Sequence, residues 1–239
     1  MNCLLMALPV NFNKNLSIQS SRKNNISISY FRGEELEQIF DYTKNKILNQ
    51  RNHEVLYRRY YFLMKALLHT GARIEEIVPY HKDEYVDKKG IHKEITSPGL
   101  RPVDINLDIG TVTLPTLKKK TLNGKLPQRV LPMSQDFRNE YMSYAMAMHI
   151  DIKSKDPLFP ITRKAVNKFM GKMENDLDFK IHPHKFRHTF AVTAVLSGVP
   201  LNVLQEWMAH SSIFITSVYT QITGLDTSRY MGQMDYQNL

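Results

Sequence analysis

The chain has 239 residues, enough for one large domain or two small ones. Lys and Arg number 32 against 23 Asp and Glu, a formal charge of +9, and a hydrophobic share of 42% supports a packed core and argues against general disorder. One cysteine, Cys3, excludes an internal disulfide and a cysteine-cluster metal site, and the positive balance favours a polyanionic partner, nucleic acid ahead of a membrane surface.

The apolar run from Cys3 to Leu8 stops at Pro9, is too short to span a bilayer and has no basic leader. The expectation is an intracellular, cytoplasmic protein with no membrane partner. Residues 11–29 are rich in Asn, Ser and Lys and break at Ser20-Ser21-Arg22-Lys23-Asn24-Asn25, so 1–29 reads as a flexible N-terminal arm. A domain seldom holds together unaided below about 40 residues. Fewer than that precede Gly33, so no separate N-terminal domain is expected, and residues 30–239 form one unit.

Leu36, Ile39, Phe40 and Ile47 share one face of a first helix, and a second runs from about Glu54 to Leu68. Thr70-Gly71 ends it, and a further helical stretch from Ala72 to Val78 stops at Pro79. Residues 81–99 are charged and poor in core residues, and read as an inserted loop. Val103 to Leu107 and Thr111 to Leu114 then alternate as strands, and Gln128 to Met133 is the return strand after the turn at Asn123-Gly124. Helices are expected at about 134–150, 163–175, 185–197, 200–208 and 212–222, before a tail over 220–239. The fold class is mainly α with one small antiparallel β-sheet.

The most informative stretch is His182-Pro183-His184-Lys185-Phe186-Arg187-His188-Thr189. Pro183 suits the first turn of a helix. At 100° per residue, His184, Arg187, His188, Ala191 and Val195 share one stripe. Cationic and titratable groups thus gather near free backbone N–H groups, a place for a phosphate. A lone histidine on a helix is ordinarily structural, and a lone arginine ordinarily an ion-pair partner. The histidines at 182, 184 and 188 do not suggest a metal site, because no acidic ligand is suitably spaced and Arg187 among them repels a cation.

Company changes the weight of these residues. Thr70-Gly71-Ala72-Arg73-Ile74-Glu75-Glu76 lies far upstream, Ala209-His210-Ser211-Ser212-Ile213 lies downstream, and Tyr219 follows His210 by nine residues. Over about 33–225 the order and spacing resemble the catalytic domain of the tyrosine recombinase (phage integrase) family, although that family usually has Gly where Ala209 stands. The resemblance implies that family's catalytic-domain fold and site-specific cutting and rejoining of double-stranded DNA through a 3′-phosphotyrosyl intermediate. It implies no metal, cofactor or ATP. Tyr219 would be the nucleophile, Arg73 and Arg187 the grip on the phosphate, His184 the acid/base partner of the tyrosine and His210 a phosphate donor, with Glu76 orienting Arg73 or a neighbouring histidine. In the family a hairpin lysine protonates the leaving 5′-oxygen. Here Lys118, just after the first hairpin strand, matches that position best, with Lys119 and Lys120 next and Lys125 behind them. Lys119, Lys120, Lys125 and Lys185 are expected on DNA phosphates.

The resemblance also implies a dimer or tetramer on DNA, accessory DNA-bending proteins, a nucleoid location and a mobile genetic element as setting. Two alternatives remain at this point. Residues 185–208 also resemble a helix-turn-helix DNA reader without catalysis, and a type IB topoisomerase would use similar chemistry to relax DNA.

Overall fold

Apolar side chains at three- and four-residue spacing make α1 (Gly33–Asn49) and α2 (Glu54–Thr70) amphipathic, and their apolar faces pack together. The computed structural model describes residues 28–86, 92–117 and 126–223, with side chains described except at 81–96 and 221–223. The arm expected over 1–29 lies outside this range up to residue 27. Ile28 and Tyr30 pack on the helices that follow, and Phe31 is buried with its N–H donated to Thr189 Oγ1 at 2.8 Å. The far end of the arm is therefore docked.

Helix α2 is the centre of the larger core. Phe62, Leu63 and Met64 are buried, and the Phe62 ring lies 4.5 Å from Tyr144 and 5.8 Å from both Phe137 and Phe159. Each such fully buried side chain contributes roughly 1.5–3 kcal/mol. Tyr60 belongs to the core too, stacked on Phe169 at 4.1 Å.

Gly71 ends α2 with φ +58°, and a Cβ there would sit 2.3 Å from the Phe190 ring. Both the left-handed backbone and the close approach of Phe190 require glycine. Gly71→Ala should cost about 2–4 kcal/mol, combining backbone strain and overpacking. Thermal unfolding checks this, and an unchanged midpoint would mean that Phe190 moves aside freely.

A one-turn helix α3 (Ile74–Ile77) follows. The segment expected as an inserted loop over 81–99 instead contains a ribbon. β1 (Tyr80–Val86) pairs antiparallel with β2 (His92–Ser97), Tyr80 opposite Ser97. Its charges hid the pattern, because two strands can be held by main-chain hydrogen bonds without an apolar alternation. A second sheet has the order β3 (Ile105–Asn106), β4 (Thr111–Pro115), β5 (Gln128–Pro132), all antiparallel. Val112, Leu114 and Leu131 face inward. The strand expected from Val103 is shorter because Pro102–Asp104 forms a tight turn, closed by the Arg101 N–H on the Asp104 carboxylate at 3.0 Å.

The remaining chain is helical, as the periodicity predicts. Ser134 Oγ caps α4 (Gln135–Ala147) and Thr162 Oγ1 caps α5 (Arg163–Leu177). Then come α6 (Pro183–Leu196), α7 (Leu201–Met208) and α8 (Ile213–Thr223). Helix α6 joins the two cores. Its Phe186 lies in the α2 core, whereas Ala191 and Val195 pack with Leu204, Met208 and Tyr219 in a second one. The stripe from His184 to His188 is thereby held at the junction. Among the described residues, no helix is long and apolar enough to cross a membrane.

Candidate active site

The first arginine is held by its own turn. Arg73 precedes α3, and Glu76, three residues on, accepts its backbone N–H at 2.9 Å and its Nη1 at 3.1 Å. Glu76 is fully buried, and its other partner is Arg129 of β5, whose Nη2 donates at 2.7 Å. Burial alone would raise the Glu76 carboxyl. Arg129, and after it Arg73, outweighs that and holds it below the ordinary carboxylate value.

The second arginine is held by main-chain carbonyls. Pro183 opens α6, and His182 caps it, Nδ1 accepting the Lys185 N–H at 3.3 Å. Arg187, one turn in, is only 3% exposed. Its Nη1 donates to the carbonyl of Gly71, the residue that ends α2, and its Nη2 to Met208 O at 2.6 Å. A guanidinium has five N–H donors, so others remain for an anion. Burial first, then the charge of Arg73, pulls Arg187 down to about 9, and it stays charged at neutral pH.

The last four carbonyls of a helix lack intrahelical partners. In α7 each one is met: Gln205 O by the His210 N–H, Glu206 O by the Ala209 N–H, Trp207 O by Arg129 Nε at 2.7 Å and Met208 O by Arg187. Ala209 takes the left-handed conformation at φ +49°. That explains why glycine is the usual residue in the resembling motif. The turn delivers His210, whose Nδ1 lies 3.0 Å from the buried Thr216 Oγ1 on α8.

Tyr219, one turn beyond Thr216, is 3% exposed in the second core. Its hydroxyl lies 2.9 Å from His188 Nδ1. Burial raises the phenol above its ordinary value, although Arg187 and Arg73 act on it in the opposite direction. His188 is pushed down to about 4, by burial first and then by His184, Arg187 and His182. At neutral pH the pair is therefore a protonated phenol against a neutral imidazole. The unfolded His188 takes up its proton near the ordinary 6.5 and the folded one near 4, so folded stability is complete above 6.5 and falls as pH drops from there to 4. The share from His188 is of order 2 kcal/mol after allowing for its partial exposure. His188→Gln should flatten that part of a plot of unfolding midpoint against pH. An unchanged slope would contradict the assignment.

Five of the expected residues thus lie on adjoining pieces: Arg73 before α3, His184 and Arg187 on α6, His210 after α7 and Tyr219 on α8. Glu76 pairs with Arg73 at 3.1 Å. His184 is exposed, its ring 6.5 Å from that of His188, and the residue touching the Tyr219 hydroxyl is His188. Sequence reasoning put His188 on the right stripe and gave it no role. Lys185 corrects the expected DNA contacts. It is 4% exposed, with Nζ 3.0 Å from Glu35 and over the Phe31 ring, so its ammonium is committed inside the fold. Lys118, Lys119, Lys120 and Lys125 lie outside the described residues. Arg129 was missed altogether.

Comparison with known proteins shows the family and the fold. The profile of the Phage integrase family matches residues 29–224. A Resolvase of Escherichia coli is 26% identical over 191 residues, 70% of this chain and 65% of that protein. Tyrosine recombinase XerC of Listeria monocytogenes is 25% identical over 213 residues, 85% of this chain and 61% of that protein. The chain thus spans somewhat less than two-thirds of the length of these relatives. The catalytic domain of bacteriophage HP1 integrase superposes with a TM-score of 0.55 at 15% identity, covering 89% of this chain and 97% of that one. XerH site-specific recombinase bound to difH substrate gives 0.53 at 18%, covering 81% and 50%. At such identities the structures speak for the fold. The mostly helical architecture, the gathered arginines and tyrosine and the profile match across most of the chain make this protein a member of the phage integrase family with the catalytic-domain fold of tyrosine recombinases.

Proposed function

We propose that the chain cuts and rejoins double-stranded DNA at specific sites through a covalent link to Tyr219. The observation that carries this reading is the Tyr219 hydroxyl held on His188, with the charges of the buried Arg187 and the half-buried Arg73 close enough to act on its ionisation. The Tyr219 oxygen bonds to a backbone phosphorus and the bond to the 5′-oxygen breaks, leaving a 3′-phosphotyrosyl link that stores the bond for rejoining. The phenol proton passes to the imidazole cluster, His188 first and the more exposed His184 beyond it. Arg73 and Arg187 fork onto the non-bridging oxygens and stabilise charge in the transition state, a task that metal ions perform in other phosphoryl-transfer enzymes. His210 donates a further hydrogen bond. The leaving 5′-oxygen takes its proton from the β4–β5 hairpin, with Lys118 as the donor of choice.

The free protein is a resting state. A duplex cannot reach a phenol that is 3% exposed, so Tyr219 must turn out of its apolar cluster when DNA docks. The helix-turn-helix alternative loses its basis here. Helix α7, the would-be reading helix, carries no basic residue, and Lys185 and Arg187 of α6 point inward. Support for DNA as partner comes from the net charge of +9 and from the XerH relative bound to its substrate.

The test uses short nicked duplexes with a randomised centre. Adducts trapped with wild-type protein are recovered on a denaturing gel and sequenced, and the selected duplex is then used alone. Adduct on selected DNA is expected, and relaxation of supercoiled plasmid lacking that sequence would point to a topoisomerase. Recombination needs two duplexes and four tyrosines, so the proposal includes a tetramer on DNA. Deleting 226–239, outside the described residues, should leave single-site binding intact and weaken assembly on paired sites. Light scattering checks this, and unchanged assembly would remove the tail from the interface.

A further inference from the structure

Arg129 belongs to none of the sequence motifs, yet its guanidinium joins more of the site than any other described side chain. It stands on β5 opposite Leu114 of β4, with a side chain 5% exposed. Nε donates to Trp207 O at 2.7 Å, Nη2 to Glu76 Oε2 at 2.7 Å and Nη1 to Pro115 O at 3.1 Å. Thr116 Oγ1 lies a further 3.4 Å from Nη1. These acceptors belong to separate pieces. Glu76 is the carboxylate that holds Arg73 by its N–H and its Nη1. Trp207 O is one of the terminal carbonyls of α7, three residues before His210. Pro115 ends the first strand of the hairpin.

We propose that Arg129 is a positioning residue for strand cleavage, locking the β4–β5 hairpin, the Arg73–Glu76 turn and the α7–His210 turn into one geometry. The proposal rests on the reading of Tyr219 as a DNA-cleaving nucleophile. Its logic is chemical. A planar guanidinium offers donors in fixed directions from three separate nitrogens, so it meets a carboxylate and two main-chain carbonyls that lie apart, a span that the single nitrogen of a lysine does not cover. A lysine at 129 would keep the charge and lose the fan of bonds. Arg129 does not face a bound phosphate in this arrangement; it fixes the groups that would. Small displacements of such groups slow a reaction by as much as about 10²-fold while leaving the overall grip on a long duplex largely intact.

The test measures adduct formation on the selected nicked duplex, normalised to the folded fraction found by thermal unfolding. Arg129→Lys should lower the cleavage rate by about 10–100-fold with DNA affinity unchanged. Met173→Ala, a cavity on the buried face of α5, serves as the stability control and should cleave at the wild-type rate per folded molecule. Coupling separates positioning from mere support. In an Arg73→Lys background, Arg129→Lys should cost far less than it does alone, because it acts through a group already impaired. Should Arg129→Lys fail to fold, Arg129→Met combined with Glu76→Gln removes both charges of this pair together, with Glu76→Gln alone as the baseline for what Arg73 loses. Beyond that baseline, the pair should show the cleavage loss of the lysine variant. Wild-type cleavage by either variant, a loss no greater than for Met173→Ala, or effects that multiply with Arg73→Lys would overturn the role of Arg129. Failure of wild-type protein to form any adduct would instead overturn the parent reading, and this proposal with it.

Discussion

Tyr219→Phe should bind DNA normally and form no covalent adduct. The substitution removes the one oxygen that reacts and leaves the ring in the apolar cluster formed by Ala191, Val195, Leu204 and Met208. Its cost to stability is small. The lost hydrogen bond to His188 is worth roughly 1 kcal/mol, and the freed imidazole is only partly buried. Folding and binding therefore stay measurable while chemistry disappears. The assay is the selected nicked duplex run on a denaturing gel. A normal yield from the phenylalanine variant would remove Tyr219 as nucleophile and leave the His188–Tyr219 pair as a packing device.

Arg187→Lys carries the second largest effect. The arginine spends Nη1 on Gly71 O and Nη2 on Met208 O, and the remaining donors are those a phosphate would use. Lysine cannot span both carbonyls and offers no fork. Cleavage should fall by roughly 10²–10³-fold, about 2.7–4 kcal/mol of transition-state stabilisation, with much less change in affinity. Stability should fall too, since a buried carbonyl at the end of α2 or α7 loses its donor. Rates are therefore compared per folded molecule. Cleavage by Arg187→Lys at the wild-type rate would mean that the guanidinium is only a clamp between helix ends. EDTA should change neither protein, and inhibition would indicate a metal-dependent nuclease instead.

The helices were legible because their signals are local. Phe186 and Arg187 sit on a stretch opened by Pro183, and Tyr219 stands nine residues from His210 whatever the rest of the chain does. What escaped depended on distant partners. Arg129 in Gln128-Arg129-Val130 reads as part of an ordinary strand, and its burial comes from Glu76 and Trp207, separated from it by 53 and 78 residues. Lys185 reads as a DNA contact because it lies inside the site motif, whereas Glu35, 150 residues upstream, holds it indoors. His188 was visible on the stripe, but its contact with Tyr219 depends on how α8 docks against α6. The β1–β2 ribbon escaped for another reason: its residues are too charged for an apolar alternation to show.

The central claim is that Tyr219 becomes joined to the 3′ end of a cut strand. The most direct measurement is to trap the adduct on the selected nicked duplex in the presence of EDTA, digest protein and DNA, and locate the nucleotide remnant by mass spectrometry. The account predicts a remnant on Tyr219, linked through a 3′-phosphate, at a yield that EDTA does not change. A remnant on another residue, a 5′ linkage, or cut DNA with no protein attached would contradict it.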